Sequence, residues 1–262
     1  MNVTWDYTEL ASHYDKRAEY SARALDRLCA ATGTEPGATV ADIGAGTGKL
    51  AAPLARRGLR VSAIEPNAAM RAFGIRNTRG LDVTWTEATG ECSGLAAGAF
   101  DLATFGSSFN VVNQAEALAE VARLLVPAGS VACLWNHRDL DDPVQARIEA
   151  IIREEIPGYE YGRRRQDPTP AIDASGLFGP VGTIEERFVV EAAVADQIEA
   201  WRSHATLQRQ AGTRFGAILE AIESALGDIG SLSTPYFTRV WYARRRPLAA
   251  WPPRARVACG PR

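Results

Sequence analysis

Long apolar runs are missing from this sequence. No stretch of about 18 consecutive apolar residues occurs, so there is no transmembrane helix to place. The first residues, Met1-Asn-Val-Thr-Trp-Asp6, lack the basic and apolar regions of a secretory leader, and the expected location is the cytoplasm. A surplus of charge is missing too: the net charge is −2 over 262 residues, which offers nucleic acid no general attraction. Neither a nucleic-acid nor a membrane partner is expected. Cysteine is sparse, and Cys29, Cys92, Cys133 and Cys259 form no C-x-x-C pair. That spacing argues against a metal site and makes reduced thiols the default. Cys133, inside an apolar segment, reads as a small core residue. Histidine is limited to His13, His137 and His204, and no internal repeat is present. What remains is ordinary for a globular chain: 46% hydrophobic and 23% charged residues, enough for one large domain or a domain with a small cap.

Against this background one stretch stands out, Val40-Ala-Asp-Ile-Gly-Ala-Gly-Thr-Gly-Lys-Leu50. It reads as a buried strand, a glycine-rich turn and the opening of a helix near Thr47. Gly44, Gly46 and Gly48 remove every second Cβ, so the backbone can bend sharply and approach a ligand. Asp42 sits at the strand's end. A helix start there would aim unpaired N–H groups at the same space. A tight turn without a ligand has the same pattern. The next segment, Arg60-Val-Ser-Ala-Ile-Glu-Pro66, reads as a second strand ending in Glu65, placed like the acid that grips a ribose in a βαβ nucleotide unit. The dinucleotide fingerprint needs a glycine at 49, where this chain has Lys49, so adenosine carried by an amino acid is favoured over NAD.

Three segments in order, Asp42-Ile-Gly-Ala-Gly-Thr-Gly48, Ile64-Glu-Pro-Asn-Ala-Ala-Met70 and Phe100-Asp-Leu-Ala-Thr104, resemble successive motifs of class I S-adenosylmethionine (SAM) dependent methyltransferases, with the type-11 small-molecule group the most similar. The resemblance covers roughly residues 10 to 137. It implies a three-layer α/β sandwich with a Rossmann-like, seven-stranded, mostly parallel sheet, an antiparallel final strand and an inserted helical cap. It also implies SAM as cofactor, S-adenosyl-L-homocysteine (SAH) as its product and a small-molecule methyl acceptor. On this reading Tyr14, Arg17 and Tyr20 of an N-terminal leader are candidates for the methionine end of SAM, with packing against the sheet edge as the alternative. Asp42, Gly44, Gly46 and Gly106 border the cofactor, Glu65 and Pro66 meet the ribose, and Met70 rests against the adenosine or else is core. Thr89, Gly90 and Glu91 match the loop that reads the adenine edge. Relatives often carry a His-Trp pair where this chain has Asn110-Val111, which puts the role of such a histidine in doubt.

In chain order, residues 4–31 are expected to be helical, 49–57 a crossover helix, and Asn67 the cap of the next helix. Strands are expected at 81–85, 99–106 and 130–135. Leu118, Val121, Ala122 and Leu125 mark a helix face, stopped by Pro127 and Gly129. Beyond 140 come a helix over 144–156, a sixth strand over 183–190, helices over 195–210 and 214–226, and a last strand over 236–243. The expected division is a lid (1–35), a SAM-binding core (36–139), a cap and substrate region (140–234), the last core strand (235–243) and a mobile tail (244–262). Arg163 to Arg165 suit a solvated surface or an acidic substrate. Phe109, Asn110 and Trp135 at strand ends, and Trp201, His204 and Gln208 at helical spacing on the cap, are expected to line the substrate side.

Methyl transfer from a sulfonium is an in-line displacement that asks the protein mainly for positioning at about 3–3.5 Å. A base is needed only where the acceptor keeps a proton, and His137 and His204 are then the candidates; the alternative is a surface or hydrogen-bonded histidine for each. The expected function is methyl transfer to an O, N or C atom of a small molecule of the specialised-metabolite kind, by a monomer or homodimer. The alternatives are another SAM reaction, such as a cyclisation, and a non-catalytic SAM-binding protein.

Overall fold

A computed structural model describes residues 7–162, 166–227 and 229–247. From the N-terminus the elements are α1 (Ala11–Tyr14), α2 (Ala22–Thr32), β1 (Thr39–Ile43), α3 (Ala51–Ala55), β2 (Arg60–Ile64), α4 (Ala68–Asn77), β3 (Val83–Thr86), β4 (Phe100–Gly106), α5 (Gln114–Leu124) and β5 (Leu125–Arg138). Then follow α6 (Pro143–Glu155), α7 (Thr169–Ser175), β6 (Gly182–Ala193), α8 (Val194–Arg202), α9 (Ala205–Ala211), α10 (Phe215–Leu226) and β7 (Ser231–Arg244). The strands form one seven-stranded sheet in the order β3-β2-β1-β4-β5-β7-β6. β1 to β5 pair in parallel, and β7 runs antiparallel to both β5 and β6. The expected three-layer sandwich with an antiparallel last strand is thus what the chain forms.

Alternation along the strands sorts the core into two layers. On one face Ile43, Phe105, Val131 and Cys133 pack with Leu118 and Val121 of α5. On the other, Val40, Leu102, Ala132 and Leu134 pack with Leu25 and Leu28 of α2 and Leu54 of α3. Burying a side chain such as Phe105 or Leu102 stabilises the fold by about 1.5–3 kcal/mol. A third cluster joins Ile148 and Ile152 of α6 to Ile198, Ile218 and Ile222, giving the cap its own apolar centre. Asn67 caps α4 as expected, its Oδ1 accepting from the Met70 amide at 3.0 Å.

Several boundaries differ from the sequence reading. The leader is two helices with an irregular stretch between them, because its backbone groups find partners elsewhere. Asn136 Nδ2 donates to the carbonyls of Ala18 and Glu19 at 3.3 and 2.9 Å. α3 opens at Ala51, beyond the expected Thr47, since the intervening residues form turns. α5 ends at Leu124, and the Pro127–Gly129 excursion becomes an irregularity inside β5, with Ala128 at φ 65°. The helix expected over 195–210 breaks at Ser203, whose carbonyl is taken by Arg17. α7 went unforeseen. Cys29 and Cys133 are free thiols, whereas Cys92 is disulfide-bonded, which corrects the expectation of reduced thiols for that residue. In the expected tail, the Arg245 and Arg246 amides bond to the carbonyls of Gly129 and Leu177. Cys259, the rest of the tail and Arg163 to Arg165 lie outside the described residues.

Candidate active site

A pocket opens at the carboxyl ends of β1, β4 and β5, where the strand order reverses between β1 and β4. Its floor is the glycine turn, its side wall the leader, and its roof α8 with the ends of β6 and β7. Of the residues singled out from sequence, Tyr14, Arg17, Tyr20, Asp42, Gly44, Gly46, Gly106, His137, Trp201 and His204 all line it.

The turn is built on left-handed glycines. Gly44 and Gly46 have φ of 66° and 58°. A Cβ on Gly44 would lie 2.6 Å from Ser108 Cβ, and one on Gly46 would lie 3.3 Å from Met70 Cε. The amides do not all face open space, which corrects the helix-start expectation. Gly44 and Ala45 donate to the Ile64 carbonyl at 2.8 and 3.0 Å, and Gly48 donates to Ala45. The Gly46 amide donates to Glu65 Oε2 at 2.9 Å, and the Asn67 amide donates to Oε1 at 2.9 Å. Glu65 is therefore fixed beneath the turn with one bond to each oxygen. Each carboxylate oxygen can accept more than one hydrogen bond, so the group can still receive a diol. Burial pushes the Glu65 carboxyl up, while the two amides and Arg71 hold it down.

Asp42 lies at the bottom of the pocket, fully buried, with Oδ1 accepting from Thr104 Oγ1 at 2.9 Å. Its Oδ2 makes no hydrogen bond of its own, although the Ala51 amide is near enough to favour the charge. Thr47 Oγ1, in the same turn, is likewise buried without a partner. Burial pushes Asp42 from an ordinary 3.8 up to about 7, helped by the charge of Glu65. The native state then binds this proton more tightly than the unfolded chain does. The stability Asp42 contributes is complete below its ordinary value and is lost as pH rises through about 7. In the ligand-free protein, Asp42→Asn is expected to flatten the decline in stability from acid to neutral pH. Urea denaturation at a series of pH values checks this, and an unchanged decline would assign it to other groups.

The leader is fastened on three sides. Arg17 donates through Nε to Ser203 Oγ and through Nη2 to the Ser203 carbonyl, both at 2.7 Å, with Cζ 4.1 Å from the Tyr14 ring centroid. Lys16 pairs with Asp196 at 2.8 Å and His13 with Glu199 at 2.6 Å. Asp15 accepts from Asn77 of α4 at 2.6 Å. Tyr20 OH sits 3.0 Å from Ser107 Oγ at the end of β4, and burial pushes its phenol up. Ser107 itself has φ 59°, a strained left-handed position beside the pocket.

Other expected residues lie elsewhere. Met70 is buried behind Gly46, and Pro66 is exposed on the far side of Glu65. Gly90 is pressed against Ile43 and Val112, Thr89 is exposed, and Glu91 accepts from the Asn113 amide at 2.7 Å. Phe109, Asn110 and Trp135 are corrected as residues of the substrate side: they line a separate recess with Gln114 and Pro168. Alternation along β5 turns Trp135 away from the face that carries Leu134 and Asn136. Trp135 Nε1 donates to Asn110 Oδ1 at 3.3 Å instead. Gln208 is also corrected, being exposed on α9 beyond the break at Ser203. Lys16, Lys49, Ser107 and Asp196 line the pocket without having been singled out for it. Lys49 had a visible signal, since it stands where the dinucleotide pattern needs glycine.

An open α/β sheet with a glycine turn and a buried acid at its switch point is the arrangement at which other proteins bind nucleotide-type small molecules. The family model described as "Methyltransferase domain", type 11, matches residues 41–133, the stretch that carries this turn and acid. Residues 41–133 are similar to the domain that this family shares. An uncharacterized methyltransferase of Mycobacterium tuberculosis is 33% identical over 123 residues, covering 47% of this chain and 48% of the relative. The ubiquinone biosynthesis O-methyltransferase of Caulobacter vibrioides is 34% identical over 147 residues, covering 53% of this chain and 58% of that protein. The chain thus spans about half the length of the curated relatives it matches. Among solved structures, a protein provisionally assigned as a type II methyltransferase from Anaeromyxobacter dehalogenans superposes with a TM-score of 0.55 at 21% identity. That match covers 87% of this chain and 97% of the other, a likeness of fold.

Proposed function

We propose that the chain is a SAM-dependent methyltransferase acting on an O, N or C atom of a small molecule. The observation that carries this reading is the coincidence of the methyltransferase-domain match with a pocket floored by the glycine turn over Glu65. The residues fit an adenosine linked to an amino acid. Glu65 beneath the turn would take the ribose, and Asp42, Gly44, Gly46, Gly106, Tyr14, Arg17 and Tyr20 the methionine end; Met70 and the Thr89–Glu91 loop, outside the pocket lining, would at most back the adenosine side. The buried Asp42 Oδ2 and Thr47 Oγ1 supply polar atoms for such a group. The name of the Caulobacter relative, an O-methyltransferase, supports the reaction class.

When bound, the cofactor supplies an electrophilic methyl group and a sulfur leaving group. This chain's part is to hold donor and acceptor in line and exclude water, with the leader and the 140–234 region closing over the strand ends. An acceptor proton, where there is one, would pass to His137 or His204, both buried at the pocket. His137→Asn is expected to lower kcat on the order of hundredfold while leaving SAH affinity unchanged, if His137 is that base. Kinetics against calorimetry separates the two quantities, and an unchanged kcat removes His137 from the chemistry.

Among the described residues no helix is long and apolar enough to cross a membrane. The setting we propose is the cytoplasm, as a monomer or homodimer without nucleic acid. Calorimetric titration with SAM, SAH and NAD tests the cofactor. Binding of the first two alone is expected, and binding of NAD alone would overturn the reading. Mass analysis of products then looks for the gain of one CH₂ unit, whose absence across a broad acceptor panel would argue for another SAM reaction.

A further inference from the structure

Charge on the pocket wall is one-sided. Lys16, Arg17, Lys49 and Arg138 face Asp42 and Asp196. Asp196 is already paired with Lys16. Asp42 lies deep, where burial favours its neutral form. Arg17 is held by neutral groups, the Ser203 hydroxyl and carbonyl and the Tyr14 ring, and makes no ion pair with any described residue. Lys49 is half-buried and makes none either. The fields of Asp15 and Glu19 favour its charge, but burial outweighs them. Two cations therefore stand on the wall without a carboxylate in contact.

The cofactor proposed above does not cancel this excess. It brings a sulfonium, an ammonium and one carboxylate, a further net positive charge. Its single carboxylate brings one negative charge against the two positive charges of Arg17 and Lys49. The remaining cation and the sulfonium then share one pocket, where like charges repel. Tyr161, Trp201 and Tyr236 give the same space flat apolar surfaces, which suit an organic molecule. We infer that the methyl acceptor is a small organic anion, seated between the glycine turn with Lys49 and the His137–Arg138 end of β5. This rests on the SAM reading of the preceding subsection and adds the charge of the substrate to it.

SAM and SAH differ by that one positive charge, so they test the inference on the full chain. Calorimetric titrations at low salt compare SAM with SAH, each alone and with millimolar benzoate, benzamide or benzylamine. SAM alone is expected to bind several-fold more weakly than SAH. Benzoate should tighten SAM on the order of tenfold and SAH far less, since one opposite charge nearby is worth about that factor. Benzamide should change SAM binding less than about twofold, and benzylamine should weaken it. Lys49→Gln should cut the benzoate effect to about a third, and Lys49→Arg should restore it. Benzoate without effect on SAM, or benzamide equal to benzoate, would overturn the inference while leaving SAM as cofactor. Failure of both SAM and SAH to bind would overturn the cofactor reading along with it.

Discussion

Replacing Glu65 by alanine is expected to weaken SAH binding on the order of hundredfold, about 3 kcal/mol. A charged hydrogen bond is worth about 1.5–3 kcal/mol, and a ribose diol offers two donors to a carboxylate held in place. The side chain has a second task. It accepts from the Gly46 and Asn67 amides, so its loss also frees the turn from the start of α4. Affinity and thermal unfolding must be read on the same sample for that reason. Glu65→Gln keeps the size and one acceptor oxygen, and it should fall between wild type and Glu65→Ala. A Glu65→Ala protein that melts normally and binds SAH with wild-type affinity would remove Glu65 from the cofactor site.

The largest effect on folding is expected at a glycine with no part in the turn. Gly74, inside α4, faces the Trp85 ring of β3, and a Cβ there would lie 2.0 Å from Trp85 Cη2 and 2.3 Å from Cζ2. Trp85 is not free to step aside. Its Nε1 donates to Thr78 Oγ1 at 3.0 Å, and that hydroxyl donates to the Gly74 carbonyl at 2.8 Å. Alanine gains about 1 kcal/mol of helix propensity over glycine, but forcing a methyl group into a packed ring costs about 1–3 kcal/mol or more. A contact this short belongs at the upper end, so Gly74→Ala is expected to lower stability by about 2–3 kcal/mol. Urea denaturation measures the loss, and Trp85→Leu in the same chain should recover most of it. A single variant with an unchanged midpoint would mean that the ring moves at little cost. α4 also carries Asn67 and Met70, so the damage should reach the Glu65 corner.

The core of the site was legible because its cause is local. Gly44 and Gly46 need a left-handed backbone, and that requirement is written in residue type. The seven-stranded, mostly parallel sheet and its antiparallel last strand came from the family resemblance and were met. The leader was misread because its backbone partners lie far off in sequence: the Ala18 and Glu19 carbonyls bond to Asn136, and Arg17 bonds to Ser203. The same Arg17 contact caps α8, which is why spacing failed to carry Gln208 onto the pocket wall. Trp135 was misplaced for a simpler reason. Being near a strand's end does not aim a side chain at the pocket; alternation along the strand decides which side it faces. The one-sided charge was legible only in part. Lys49 was noticed as a break in a pattern, but its lack of a partner is a property of the folded chain.

The position of β7 has a consequence for the order in which the protein can be made. It follows the other six strands in sequence, yet it sits between β5 and β6, and among the described residues β6 has no other neighbour in the sheet. Thr238, in the middle of β7, accepts from the Ser21 amide at 2.9 Å and donates to Asn136 Oδ1 at 2.6 Å, joining the start of α2 to the end of β5. A chain emerging from the ribosome can assemble β1 to β5 early, but β6 has no edge to join until residues 231–244 are free. Such long-range pairing forms late because its closure must precede its reward. The pocket roof rests on β6, β7 and α8, so a nascent chain has the glycine turn long before it has an enclosed site. Ligand-assisted folding during synthesis must therefore wait until residues 231–244 have emerged.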